Sequence, residues 1–253
     1  MPYDNATRKL WGSAGYKTNM GSAAATVPPS GKFIRLYHLL GAEHAKSNIA
    51  KRRLKVSRFA DANDPFELMS LRVMDGSVRR AVREHKNVED VETGLICFSE
   101  DWTSPVMWSH YADKHRGMCL GFDVARTAVN PVRYFDKRLR AELGKDGNPF
   151  VVSAEIQEAL RHTKCQEWSY EREHRLLMPI EDALEEAIAG RVMQFRPFDS
   201  KVRLAEVILG PHCTESLSDV RQLVTTHSPG AIAFKARLAW KHFKVVPLES
   251  SVP

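Results

Sequence analysis

The segment Trp168–Met178, with the sequence WSYEREHRLLM, most constrains how this chain can fold. Its charge spacing and apolar end predict a β-strand, in which side chains alternate between the two faces of a sheet. Glu171, Glu173 and Arg175 would then lie on the same face. Because charged side chains are rarely buried unless they are paired, such a strand either lies at a solvated edge or lines a polar pocket. The rest of the sequence favours the pocket.

The order of predicted elements indicates an α+β fold with mixed or antiparallel sheets. Strands outnumber helices and do not alternate regularly with them, as they would in a doubly wound parallel sheet. Neither Gly-x-Gly-x-x-Gly nor a phosphate-binding Gly-Lys-Ser/Thr motif occurs, so a Rossmann or P-loop site is not supported. Asn63–Glu67 (NDPFE) is typical of a helix start, which predicts a helix from there to about Glu84. An acidic helix is expected over 181–189.

Residues 1–30 are predicted to form a flexible N-terminal arm, because this region contains few large apolar side chains. Residues 31–253 have enough apolar and aromatic residues for one α+β domain of the catalytic type. No run is long enough to span a bilayer, and the start of the chain lacks the order of a signal peptide. The four cysteines form no Cys-x-x-Cys pair, which favours reduced thiols. We therefore expect a cytoplasmic protein without a membrane partner.

The net charge of +6 favours a polyanionic partner, such as nucleic acid or a dinucleotide. Metal binding is poorly supported by the sequence. His110 and His115 are five residues apart, and there is no His-Glu-x-x-His motif or paired-cysteine ligand set. No metal site is expected.

Two further segments contain candidate site residues. Tyr37 and His38 end an early predicted strand, where a histidine is more often structural than catalytic. A second predicted strand ends at Ser99 and is followed by a helix with Trp108 and Tyr111, which places aromatic rings and a hydroxyl at the mouth of a strand–loop–helix unit. A core aromatic cluster is the alternative, since these two rings are three residues apart on one helix face.

Four motifs resemble those of a prokaryotic family known only as a domain of unknown function. They are Asn63–Glu67 (NDPFE), Cys97–Glu100 (CFSE), Met107–Ala112 (MWSHYA) with Gly117, and Trp168–Arg175 (WxYExExR). The resemblance covers roughly residues 33–225. It indicates a family and does not define an activity.

The order of these segments also resembles the His–Tyr–Glu arrangement of the ADP-ribosyltransferase superfamily, of the poly-ADP-ribose-polymerase and diphtheria-toxin type. That resemblance implies a split-sandwich fold with flanking helices, and NAD as substrate. By position, His38 would bind a ribose hydroxyl, and Tyr111 or Trp108 would stack on nicotinamide. Glu173 would stabilise the transition state, and Glu171 would face the acceptor.

Tyr37 and Ser99 complete the NAD-binding set that the resemblance implies. It implies an NAD-dependent ADP-ribosyltransferase or NAD-cleaving enzyme, in the setting of a bacterial toxin or phage-defence effector, with a nucleic acid or a protein as acceptor. Two alternatives stay open at this point. One is a nucleic-acid-binding or nuclease-like defence module without NAD chemistry, which the basic charge favours. The other is a non-enzymatic ligand-sensing or interaction domain.

Overall fold

The computed structural model describes residue 29, residues 31–140 and residues 152–253. Within these ranges the strands are β1 (Phe33–Leu40), β2 (Arg53–Val56), β3 (Thr93–Ser99), β4 (Met118–Ala125), β5 (Asn130–Pro131), β6 (Arg133–Phe135), β7 (Thr163–Cys165), β8 (Glu173–Pro179), β9 (Leu184–Ile188), β10 (Arg191–Pro197), β11 (Val202–Leu209), β12 (Ile232–Leu238) and β13 (Val245–Pro247). The α-helices are α1 (Ala42–Ala50), α2 (Gly76–Glu92), α3 (Pro105–Tyr111), α4 (Ala154–Arg161) and α5 (Leu217–His227). Apart from Pro29, the predicted arm over 1–30 lies outside the described residues.

Eight strands form one mixed sheet in the order β13-β12-β11-β4-β1-β3-β8-β5. β11 and β12 pair in parallel, and the other neighbours pair antiparallel. β2, β10 and β9 form a smaller antiparallel sheet, and β6 pairs with β7 in parallel. The predicted α+β class is confirmed. No helix in the described ranges is long and apolar enough to cross a membrane.

Helices cover both faces of the large sheet because its strands alternate apolar side chains between two sides. Leu36 faces α1 and α5 in the largest core cluster. On the opposite side, Leu39 packs with Trp108 of α3, and Leu95 packs with α2 and with Leu160 of α4. These two clusters on the second side are distinct, and the polar side chains of β8 lie on this side as well.

The predicted start of one helix is wrong, and a second predicted helix is a strand. The helix expected from Asn63–Glu67 begins instead at Gly76, where the Asp75 side chain accepts hydrogen bonds from the first turn. The acidic helix expected over 181–189 is instead a short 3₁₀ turn followed by β9, which pairs with β10. Ala189 and Gly190 both have positive φ at the turn of this hairpin. Pairing with β10 thus outweighs the helix propensity of the Glu- and Ala-rich segment.

The large sheet is split between β1 and β3. These strands pair at a single position, Tyr37 with Ser99, whereas β1 and β4 pair along eight positions. Beside the split, the end of β2 lies close against β3, and Ser57 forms a bridge to Leu95. Gly94 permits this approach, because a Cβ atom there would lie 2.3 Å from the Val56 side chain. A cavity lies on the second side of the sheet, between the split and the end of β2.

Candidate functional site

A cavity of about 190 Å³ opens beside the split in the sheet. Its walls come from β1, β3, the segment after β2, α3, β7 and β8. Six of the seven predicted site residues line it, namely Tyr37, His38, Ser99, Tyr111, Glu171 and Glu173. The structure therefore brings together residues that are more than a hundred positions apart in the sequence.

The strand predicted over Trp168–Met178 is shorter than expected. Residues Gln166–Glu171 form a 3₁₀ helix, and Arg172 has a left-handed backbone with φ 45°. β8 begins at Glu173, which pairs with Ser99 on β3. Glu173 and Arg175 lie on one face of the strand as predicted, but Glu171 approaches the same cavity from the 3₁₀ helix.

Arg175 lies at the centre of a buried ionic cluster and is 1% exposed. Its Nη1 and Nη2 atoms donate to the two carboxylate oxygens of Glu67 at 2.6 and 2.9 Å. Its Nε and Nη2 atoms donate to the two oxygens of Glu173 at 2.8 and 3.2 Å. Two bidentate contacts of this kind fix both carboxylates in position.

Lys164, from β7, connects the two carboxylates that line the cavity. Its Nζ atom lies 2.7 Å from Glu171 Oε2 and 2.7 Å from Glu173 Oε2. The Tyr111 hydroxyl donates a hydrogen bond to the other oxygen of Glu171, and Asn63 donates to that hydroxyl at 3.3 Å. Two carboxylates that face one cavity would repel each other, and the ammonium between them offsets that repulsion.

The electrostatics of the cluster keep Glu173 ionised. Burial opposes its charge, but Arg175 and Lys164 outweigh burial and lower the pKa of Glu173 to about 2. Burial likewise opposes the charge of Lys164, yet Glu173 and Glu171 raise the pKa of this ammonium above its usual value. Burial raises the pKa of Glu67, and Arg175 offsets only part of that effect. The cluster therefore keeps the Glu173 carboxylate ionised and fixed at the cavity.

His38 lies beside the split between β1 and β3. Strand alternation places its side chain on the side of Leu36, where its ring packs edge-on against Phe98. Its Nδ1 atom is 2.9 Å from the carbonyl oxygen of Cys97 on β3. A carbonyl only accepts, so Nδ1 carries the proton and Nε2 of the neutral ring is an acceptor. Burial lowers the pKa of His38, which favours this neutral form. On the same strand, burial and the nearby Glu206 raise the pKa of Tyr37, so its phenol stays protonated.

Trp108 does not line the cavity. Its side chain is fully buried in the core beside Leu39, and its indole N–H donates to the Trp102 carbonyl at 2.6 Å. The structure thus places only one of the two candidate stacking rings, Tyr111, at the cavity wall. Ser99 is 1% exposed, and its hydroxyl donates to the Glu171 carbonyl at 2.6 Å. This contact joins the end of β3 to the 3₁₀ helix.

Two members of the cluster are not predicted from the sequence. The pattern around Glu67 indicates a helix cap, and no motif marks Lys164. Glu67 is instead fully buried against Arg175, and Lys164 contacts both carboxylates of the cavity. No separate signal marks Glu67 in the sequence, since an acid three residues after Asp64 fits the capping pattern of a helix start.

Two cations lie where the cavity opens to solvent. Lys55 and Arg58 line this rim together with Asp61. Lys55 is half exposed and lies 3.9 Å from the Asp61 carboxylate. The Arg58 guanidinium donates to the carbonyls of Asp90 and Val91 at 2.8 and 2.7 Å, which holds its positive charge in place. The rim is therefore able to attract an anionic group.

Residues 107–176 match a family model described as "Protein of unknown function (DUF2971)". The matched stretch runs from α3 into β8 and contains Tyr111, Lys164, Glu171, Glu173 and Arg175, which are most of the ionic cluster. This match supports the resemblance to a family defined only as a domain of unknown function. No curated protein and no solved structure matches the chain. Across the described residues, no group of three or more His, Cys, Asp or Glu side chains is arranged to hold a metal ion.

Proposed function

We propose that this cavity binds the nicotinamide end of NAD and that the protein is an NAD-dependent ADP-ribosyltransferase or NAD-cleaving enzyme. The observation that carries the proposal is the convergence of Tyr37, Tyr111 and Glu173 on one cavity from β1, α3 and β8, with His38 at the split beside it. In addition, Glu171 faces the same space, and the sheet is split where His38 lies.

The dimensions of the site fit one end of the dinucleotide. A volume of about 190 Å³ is below the roughly 300–1,000 Å³ typical of sites that enclose a whole ligand. The nicotinamide and its ribose would occupy the cavity, and the pyrophosphate would lie at the rim near Lys55 and Arg58. The Tyr111 ring supplies an aromatic wall, and Tyr37 of β1 supplies a protonated hydroxyl on the same side of the sheet.

The chemistry requires a fixed negative charge. When the bond between ribose C1′ and the nicotinamide nitrogen breaks, its electron pair leaves with nicotinamide and positive charge develops on the ribose. Glu173 is ionised and held by Arg175, so its carboxylate stabilises that charge in the transition state more than in the ground state. An oxygen of water or of an acceptor then bonds to C1′ and releases its proton.

The test is nicotinamide release from NAD by the wild-type chain and by Glu173→Gln. The amide retains the shape of the side chain but carries no charge, so turnover should fall about 100- to 1000-fold. Glu89→Gln is the matched control, because Glu89 is also buried and bound in a bidentate contact to an arginine, Arg161, but does not line the cavity. No nicotinamide release by the wild type, or undiminished release by a folded Glu173→Gln protein, would end this proposal.

A further inference from the structure

The turn between β12 and β13 exposes two aromatic rings. Trp240 is 95% exposed and Phe243 is 98% exposed, and the adjacent Leu238 is half exposed. Single exposed apolar residues are common on protein surfaces, but two nearly bare aromatic rings within four positions of one turn indicate an interaction surface.

The tip of this turn, residues 239–244, is held in place by hydrogen bonds and by an ion pair. The Ala239 N–H donates to the Lys244 carbonyl at 2.9 Å, and the Lys244 N–H donates to the His242 carbonyl at 2.8 Å. The Lys244 ammonium also lies 3.1 Å from the Asp101 carboxylate and 3.0 Å from the Thr103 hydroxyl. Both aromatic rings are therefore presented from a short, anchored turn.

The charge of this tip is positive. Its sequence over 239–244 is AWKHFK, so a lysine directly follows each ring and no acidic residue lies within the turn. Lys241, His242 and Lys244 are all exposed. A partner that fits must offer flat apolar faces and negative charges at alternating positions.

We propose that the tip over 239–244 binds single-stranded nucleic acid. Bases would stack on Trp240 and Phe243, and a phosphate would contact Lys241, which lies between them, while Lys244 anchors the turn to Asp101. Aromatic rings interleaved with cations bind single strands with little sequence preference, because every base has a π-face and every nucleotide carries a phosphate. This inference does not depend on NAD chemistry.

The arrangement of the tip favours a nucleic acid over the other partners. Lys241 and His242 lie between the two rings, so inserting both rings into a bilayer would carry a cation toward the apolar region. A second copy of this chain would present the same positive tip on a protein with a net charge of +6. A nucleic acid satisfies the rings and the cations together.

The test is the binding of a fluorescently labelled oligothymidylate of roughly 12 nucleotides to the full-length chain without NAD. Trp240→Ala and Phe243→Ala should each weaken binding about 5- to 100-fold, whereas Trp240→Phe should retain most of the affinity. Met74→Ala removes another strongly exposed apolar side chain, from the segment before α2, and should have no effect.

The salt dependence provides a second readout. Lys241→Gln should reduce the slope of log affinity against log salt concentration by about 0.7, the value for one phosphate contact on a single strand. Arg191→Gln, an exposed cation at the start of β10, should leave the slope unchanged.

Two results would overturn the inference. One is the absence of oligonucleotide binding by the folded wild-type chain, whether it instead binds phosphatidylserine vesicles, forms a dimer through this tip or does neither. The other is unchanged affinity and salt slope in a folded triple variant that combines Trp240→Ala, Phe243→Ala and Lys241→Gln. Because both rings are exposed, the variants should melt like the wild type, and Lys241→Gln alone tests the site in a protein with its rings intact.

Discussion

Arg175 binds Glu67 through two hydrogen bonds across 108 residues of sequence, and each of the two side chains is 1% exposed. The same guanidinium binds Glu173, the carboxylate that faces the cavity. Arg175 therefore joins the segment before α2 to β8 and keeps the charge of the candidate catalytic residue fixed. Removal of this buried cation should therefore lower the free energy of unfolding.

Arg175→Ala should destabilise the protein by about 3–5 kcal/mol, because it removes the bidentate partner of buried Glu67 and leaves Glu173 with Lys164 alone. Urea unfolding measures this loss. Arg116→Ala is the control, since Arg116 and Asp113 form a pair in which both side chains are 56% exposed. That pair should contribute less than about 1 kcal/mol. Similar small losses for both variants would show that the buried cluster does not stabilise the fold.

Glu171→Gln should spare NAD hydrolysis and impair transfer to an acceptor. Glu171 contacts Tyr111 and Lys164 at the cavity wall, while Arg175 binds Glu173 and does not bind Glu171. In the proposed mechanism, Glu173 stabilises the ribose cation and Glu171 faces the acceptor. Nicotinamide release and the transfer of label from NAD to protein or oligonucleotide are measured in parallel. Equal losses of both activities in Glu171→Gln would contradict this division of roles.

Acid should destabilise the wild type more than Glu173→Gln. The pKa of Glu173 is about 2 in the folded protein, below its ordinary value of 4.5. The unfolded chain therefore takes up this proton first, so the stabilisation is complete above about pH 4.5 and is lost as the pH falls toward 2. By about pH 3 the wild type should lose about 2 kcal/mol more than Glu173→Gln, relative to about pH 6. Urea unfolding of both proteins at each pH measures the difference. If their free energies of unfolding fell equally as the pH decreased, Glu173 would not be ionised in the folded protein.

Gly94→Ala should destabilise the protein by about 1–3 kcal/mol, because the new methyl group would overlap Val56. Val56→Ala in the same chain should recover part of this loss, so that the double variant is more stable than the sum of the single variants predicts. Gly31→Ala is the control, since a Cβ atom there meets nothing within 4 Å. Thermal melting of the wild type, the two single variants and the double variant measures the coupling between positions 94 and 56. Strict additivity would mean that β2 and β3 are not in contact at this position.

The alternation of charge in EREHR was enough to predict that Glu173 and Arg175 share a face, and the register of β8 confirms it. It did not predict where the strand begins. Arg172 takes a left-handed conformation that ends the 3₁₀ helix, and no glycine or asparagine in that position signals such a turn. Glu171 consequently lines the same cavity as Glu173, but from the 3₁₀ helix and not from the predicted strand.

The sequence by itself determined the α+β class, the facing pair on β8 and the helix that begins after Ser104, because periodicity and capping act between residues close together in the chain. Only the tertiary structure decided that Glu67 and Lys164 join the cavity cluster and that Trp108 is buried in the core. These outcomes depend on which distant segments pack together, and long-range ion pairing and burial leave no local pattern in the sequence.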